Sequence, residues 1–428
     1  MFICFLTFGS YWVYDTPGAI QTQITAWFGG ESIYTDSDNL TLYSVYSYPN
    51  ILLALFGGLI IDKFLGIGKS TLLFCSLVFL GELLFALGIQ WKLYSLCVVG
   101  RLVFGLGGES LTVGQNYYTT KWFEKNISLA FGIVLAFSRV GSAVNFAITP
   151  IFAEFGVPFS VWFGVVLCLM SLTGAICLFY ADWFASARFP AKSDKTGDDV
   201  QIQHILDFPL QSWIIFFICV FFYVAILTFY TVASDIMQHT GYKFDPNTAT
   251  FFLLIPNLVA IPCTPLFGFL IDRFGKSLIW LMISSSMPII AHVVFLLMST
   301  NVILISPIPI MIWLGVGYSM FAASIWPLLP FVIKAPLLGT GYGLMTSIQN
   351  AGLAAFPQII GAIQVSLGTS TLKYIIPIII FASCAGVALC LSIFLFIVDK
   401  ARTNGILNMD SKAKDEWKKQ LNAMAEEE

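Results

Sequence analysis

The feature that most limits this chain is a series of long, unbroken apolar runs, such as IIFFICVFFYVAIL at 214–227. Lipid offers no partner for backbone polar groups, so only helices of about 20 apolar residues or closed barrels cross a bilayer. A barrel is excluded, because its strands alternate apolar and polar residues and these runs do not. Of 428 residues, 58% are hydrophobic and 11% charged, against about 25% charged in soluble domains. With a mean hydropathy of +0.85, the sequence predicts an all-α membrane protein. The net charge of −3 comes without a basic patch interleaved with aromatics, so membrane lipid and no nucleic acid is the expected surrounding. All nine Cys fall in apolar runs, which argues against a disulfide framework. Three scattered His lack metal-ligand spacing, and no nucleophile–base constellation is present. Neither a cofactor nor an enzyme is expected. The first run lacks a basic start and a small-residue cleavage site, and so reads as a span and not a signal peptide.

Hydropathy places twelve spans near 2–27, 41–62, 70–90, 94–118, 127–152, 158–181, 212–236, 249–271, 277–298, 302–332, 338–366 and 373–398. The expected organisation is an N-terminal six-helix half at 1–181, a cytoplasmic linker at 182–211, a C-terminal six-helix half at 212–399 and a cytoplasmic tail at 400–428. Sixteen of the 21 Lys and Arg then share a face with the termini, three lie opposite, and Arg101 and Arg139 lie inside spans. The positive-inside rule makes the termini cytoplasmic. An Asn-Leu-Thr sequon at Asn39 falls in the first non-cytoplasmic loop and is expected to be open to glycosylation, while Asn126 faces the cytoplasm and should stay bare.

The halves repeat. GLIIDKFLGIGK after span 2 contains Gly58, Asp62 and Lys63; GFLIDRFGK after span 8 contains Gly268, Asp272 and Arg273, each 210 residues on. Gly105 and Gly107 of span 4 match Gly315 and Gly317 of span 10 at the same offset, and Phe131–Gly132 of span 5 matches Tyr342–Gly343 of span 11 at 211. The halves are therefore parallel and pseudo-symmetric. Gly lets two helices approach closely. An Asp at a helix end accepts bonds from a basic residue or from the positive end of a neighbouring helix. A duplicated loop of this kind suits a gating latch.

Five charges fall inside spans: Asp15, Glu82, Arg101, Glu109 and Arg139. Each costs about 2.5–3.5 kcal/mol or more in lipid, so each should face protein or water. Glu109 lies ~4.5 Å past the middle of span 4 at 1.5 Å per residue, and Arg139 is at the middle of span 5. An acid and a base at one depth near the membrane midplane, the level at which transporters built from repeats hold their substrates, suit a zwitterion: ammonium on the Glu, carboxylate on the Arg fork. A permanent ion pair, or proton coupling through Glu109, are the other readings. Arg101 orders helices or touches ligand, and Glu82 reads as structural. Asp15, near Pro17 and followed by Gln21, is a cavity-lining candidate, with Tyr48 on span 2 and Asn116 on span 4. In the second half Asn350 matches Arg139 and Ser319 matches Glu109, so Tyr223, Trp326, Gln349 and Asn350 would supply aromatic walls and amide hydrogen bonds. Another small solute (amino acid, organic ion or sugar), proton-driven or not, fits the residues as an alternative cargo. A static scaffold does not explain a duplicated gate.

The Gly-Asp loop, placed twice in two six-helix halves, resembles the major facilitator superfamily and implies its fold. YDTPGAIQTQI, GGESLTVGQN, SRVGS, TGYGLMTSIQNAGLA, IDRFGKSLIW and SIWPLLPFV narrow the resemblance to the major facilitator superfamily domain-containing protein 1 family. That implies a lysosomal dipeptide uniporter favouring basic residues, without obligatory proton coupling. It also implies a glycosylated single-span accessory protein beside a monomeric transport core, and termini in the cytoplasm of a lysosomal or related endomembrane. By the same resemblance Glu109 and Arg139 engage the dipeptide's ends, with Trp326 nearby. Relatives carry an acidic dileucine signal ahead of span 1, which this sequence lacks, and an uncharged amide at Glu82, where a carboxyl would alter ion coupling or cargo charge preference.

Overall fold

The structure, a computed structural model, describes residues 1–30, 32–123, 125–188, 205–241, 243–367, 370–410 and 413. Its helices are α1 (Phe2–Phe5), α2 (Phe8–Ala19), α3 (Gln21–Phe28), α4 (Asp36–Ser47), α5 (Asn50–Leu59), α6 (Gly66–Trp91), α7 (Tyr94–Trp122), α8 (Ile127–Glu154), α9 (Val157–Arg188), α10 (Leu210–Tyr223), α11 (Phe229–His239), α12 (Pro246–Phe274), α13 (Ser277–Ser299), α14 (Ile308–Ile325), α15 (Leu338–Leu367) and α16 (Leu372–Arg402). Among the described residues ten helical runs are long and apolar enough to cross a membrane, and these account for eleven of the twelve expected spans. One run, Thr41–Trp91, has 51 residues, more than twice what one crossing needs. It contains the second and third spans, which meet at a π turn, Ile60–Leu65, followed by Gly66 at φ 71°. The equivalent reversal between α12 and α13 also uses a glycine in that region, Gly275 at φ 69°. A side chain at either position would strain the backbone.

The first span is the twelfth crossing, broken into α1, α2 and α3. Thr7 separates the first two pieces, and Ile20 (φ −128°, ψ 31°) the second and third. Pro17 lies just before the second break and has no N–H to give the Val13 carbonyl, which weakens the helix there. The tenth span begins at Ile308, later than expected, because Pro307 and Pro309 set up a helix start there.

The chain forms two compact units. The first comprises Met1–Trp122, Phe137–Asp207 and Lys334–Ser347; the second comprises Phe123–Ala136, Phe208–Ile333 and Ile348–Glu428. The first third of α8, through Ala136, thus packs with the second repeat, and the first third of α15, through Ser347, with the first repeat. Within the first unit α6 and α7 pack through glycines one heptad apart. Gly81 and Gly88 lie against the backbone of Phe104 and Cys97, and Gly100 and Gly107 against that of Phe85 and Phe74. This close approach holds α7, and with it Glu109, at a fixed depth.

One expectation fails. Asn39 is 3% exposed; its Oδ1 accepts from the Tyr34 hydroxyl at 2.9 Å and its Nδ2 donates to Gln21 Oε1 at 3.0 Å. The folded chain uses this amide to tie α4 to α3, and its burial leaves no room for a glycan on that nitrogen. The sequon pattern is local, whereas burial here is imposed by Gln21, eighteen residues away.

Candidate functional site

Glu109 is half-buried on α7, and Tyr46 of α4 donates its hydroxyl to Glu109 Oε1 at 3.2 Å. The Tyr46 ring meets Tyr14 at 4.8 Å and Phe104 at 5.3 Å, and Tyr14 in turn meets Tyr43 at 5.3 Å. Tyr14 lies within electrostatic reach of both Asp15 and Glu109, so an aromatic group connects two of the expected acids. Asp15 is half-buried, accepts a hydrogen bond from Ser142 and feels both Arg139 and Arg101. Tyr14, Tyr43 and Tyr46 carried no signal of their own among 67 aromatics. The Tyr43–Tyr46 spacing, three apart on one helix face, was the available hint.

Arg139 is half-buried on α8. Two polar residues seven apart on that helix pin it to the first span: Ser138 meets the hydroxyl of Thr7, just ahead of α2, at 3.1 Å, and Asn145 donates to Thr16 Oγ1 at 3.0 Å and to the Trp12 carbonyl. These bonds fix the rotation of α8 on both sides of Arg139. Of the other residues expected in the first unit, Asn116 is buried, Gln21 bonds Asn39, and Tyr48 is 56% exposed at the junction of α4 and α5.

The second unit brings together two residues that the sequence marked separately. Trp326 Nε1 donates to the Tyr223 hydroxyl at 3.0 Å, and both are buried. Tyr223 packs edge-on against Tyr318 and Phe321. Gln349 and Asn350 are half-buried on α15, with the Cys219 thiol 3.7 Å from Gln349 Oε1. This group offers hydroxyl, indole and amide chemistry without a formal charge.

The duplicated loops form a matching pair of contacts. Asp62, 5% exposed, accepts from the backbone N–H of Gly339 at 3.1 Å and of Thr340 at 2.5 Å, and from Thr340 Oγ1 at 2.7 Å. Asp272 accepts from the N–H of Ser128 at 3.1 Å and of Leu129 at 2.7 Å. Each carboxylate therefore caps the first turn of another helix, α15 or α8, where unsatisfied N–H groups and the helix dipole favour a negative charge. Gly58 and Gly268 make the approach possible: a Cβ on either would collide with the carbonyl of Gly339 or Ser128. Gly132 lies against Thr264, and its repeat mate Gly343 against Ala54. Lys63 and Arg273 lie over the rings of Phe64 and Phe274, each at 5.8 Å.

The comparisons with known proteins agree with this architecture. The family model described as Major Facilitator Superfamily matches residues 2–357. The chain belongs to the major facilitator superfamily. It is 34% identical to the human protein named "Lysosomal dipeptide transporter MFSD1", over 98% of this chain and 89% of that one, and 34% identical to the zebrafish protein of the same name, over 95% and 87%. The family of these relatives is therefore also that of this chain. Among solved structures, the major facilitator superfamily transporter FucP in the outward conformation aligns with a TM-score of 0.69 over 92% of this chain and 97% of its own, at 14% identity, a likeness of fold. The coarse function follows: this chain is a multi-pass membrane transporter. The residues that motif reading marked, Glu109, Arg139 and the two Gly-Asp loops, lie within the span that the family model covers.

Proposed function

We propose that this transporter moves dipeptides, favouring those with basic residues, by facilitated uniport out of the lysosome or a related acidic compartment. The observation that carries the reading is the charge arrangement in the first unit: half-buried Glu109 and Arg139, with Asp15 and the Tyr46 hydroxyl beside them. A dipeptide carries an ammonium and a carboxylate separated by a single planar peptide unit. Glu109 takes the ammonium, Arg139 takes the carboxylate through its two-pronged donor set, and Asp15 supplies the extra negative charge that a basic side chain needs. Tyr223, Trp326, Gln349 and Asn350 are assigned to the cargo's side chains. The names of the relatives support the cargo class. Asp62 and Asp272, with Gly58, Lys63, Gly268 and Arg273, form the gate: breaking their helix caps frees α15 and α8 to move, and cargo held more tightly in the intermediate than in either end conformation lowers the cost of passing between them. The termini are assigned to the cytoplasm by the positive-inside rule, and a glycosylated single-span accessory protein is assigned as partner of a monomeric transport core.

The test is counterflow in proteoliposomes with dipeptides, single amino acids and sugars on offer. Dipeptides should exchange in the wild type, and Glu109→Gln and Arg139→Ala should each abolish that exchange while purified yield and monodispersity stay near wild type. Exchange of amino acids or sugars alone would replace the cargo assignment.

A further inference from the structure

Glu82 of α6 is 1% exposed, and among the described residues neither carboxyl oxygen has a hydrogen-bond partner. Its pocket is made by the missing side chain of Gly164 on α9: a Cβ there would lie 2.9 Å from Glu82 Oε1 and 2.8 Å from a methyl of Val13 on α2. The groups that face Glu82 are few. From α7 come Arg101 and the Cys97 thiol, from α9 the Cys168 thiol, and from its own helix Cys75, which adjoins Cys168; on α2, Asp15 feels Arg101 and Arg139. Arg101 is the one cation among them, and it is itself 1% exposed, lying over the rings of Phe85 at 4.8 Å and Phe104 at 5.5 Å.

Arg101 does not spend its Nη2 on Glu82. That nitrogen donates to the carbonyl of Val13 at 2.9 Å, with Tyr14 O at 3.4 Å. The Val13 carbonyl is the one that Pro17 deprives of its i+4 partner, so Arg101 substitutes for the missing N–H and fixes the bend in the first span. An ionised Glu82 would leave two charged oxygens in an apolar pocket with no donor, at a cost of several kcal/mol. A proton on Glu82 removes the charged part of that cost, and the arrangement then holds together as described.

We propose that Glu82 is a proton-binding site that controls the conformational cycle. Protonated, it leaves Arg101 on the Val13 and Tyr14 carbonyls and the bend in the first span stays fixed. When Glu82 gives up its proton, Arg101 turns to the carboxylate, the Val13 carbonyl loses its donor, and α2 is released to move relative to α7. The state that holds the proton is favoured as pH falls, by up to about tenfold in population ratio per pH unit for one proton. The site adds a pH response to transport and requires no net proton flux.

The experiment uses full-length wild type, Glu82→Gln and Glu82→Asp. Infrared spectra of the purified protein without cargo should show a carboxylic C=O band in the wild type that Glu82→Gln lacks and Glu82→Asp shifts. Dipeptide exchange rates at equal pH on both sides should vary with pH in the wild type and in Glu82→Asp and be flat in Glu82→Gln. A Glu82→Gln rate profile that follows the wild type, or a carboxylic band that Glu82→Gln leaves unchanged, overturns the proposal. Should Glu82→Gln fail to fold, an unshifted band in Glu82→Asp overturns it equally. The rate arm rests on the dipeptide reading; if no dipeptide exchanges, that reading fails and the infrared arm still decides the proton site.

Discussion

At the scale of single residues, the chemistry of the first unit is set by hydrogen bonds to charged groups, each worth about 1.5–3 kcal/mol. Tyr46 gives one such bond to Glu109. Removing the hydroxyl with Tyr46→Phe keeps the ring against Tyr14 and Phe104 and takes away one donor from the acid. The expected result is a rise in KM for dipeptide of about tenfold, from a loss of ~1.4 kcal/mol, with little change in thermal stability; kinetics of uptake across a concentration series check it. An unchanged KM would place the Tyr46–Glu109 bond outside cargo recognition. The acid and base of this group were legible because charge is conspicuous in apolar sequence. The tyrosines were not, since an aromatic residue in a span is unremarkable until its neighbours are known. Arg101 and Pro17, 84 residues apart, have a relation that only the fold reveals.

At the scale of elements, helix ends carry much of the specification. The N-terminus of α4 is closed by a reciprocal cap. The Asp38 carboxylate accepts from the Thr35 N–H at 2.8 Å and hydroxyl at 2.7 Å, and Thr35 Oγ1 accepts from the Asp38 N–H at 3.2 Å. The Thr35 donors hold the Asp38 carboxyl below its usual range. A group with a depressed folded value contributes stability that is present above its unfolded value, near 3.9, and is lost as pH falls through the folded value. The cap should therefore persist in mildly acidic surroundings and fail only in strong acid. Asp38→Asn should lower the melting temperature at neutral pH and narrow that deficit at the acid end, read by thermal unfolding at a series of pH values. A constant deficit would show that the charge of Asp38 is irrelevant to the cap. Hydropathy recovered nearly every span because lipid enforces apolar length. It could not show that the first span is three helices, because that break depends on Pro17 together with partners on α7 and α8.

At the scale of the whole molecule, the two Asp caps belong to different units yet occupy equivalent places in the repeat. If both report one conformational equilibrium, Asp62→Asn, which turns one acceptor oxygen into a donor, should speed hydrogen exchange at Gly339 and Thr340 by about tenfold or more and also speed it at Ser128 and Leu129. Mass-spectrometric exchange on the intact transporter reads both places at once, and a change confined to 339–340 would mean two independent caps. The repeat itself was visible as three motif pairs spaced 210 or 211 residues apart, but its purpose was not, because the partners of Asp62 and Asp272 are, the Thr340 hydroxyl apart, peptide groups with no signature in sequence. That choice of partner has a consequence for inheritance. A main-chain N–H survives every substitution except proline, so alanine scanning across the starts of α8 and α15 should spare the caps except at Thr340, which adds its hydroxyl, and at Gly339, where a Cβ would lie 2.6 Å from Asp62 Oδ1, and the other disabling changes should cluster on the acids and the glycines packed against them. Half of each fastening is thus shielded from drift, and two copies of the motif can diverge widely in letters while keeping the same grip.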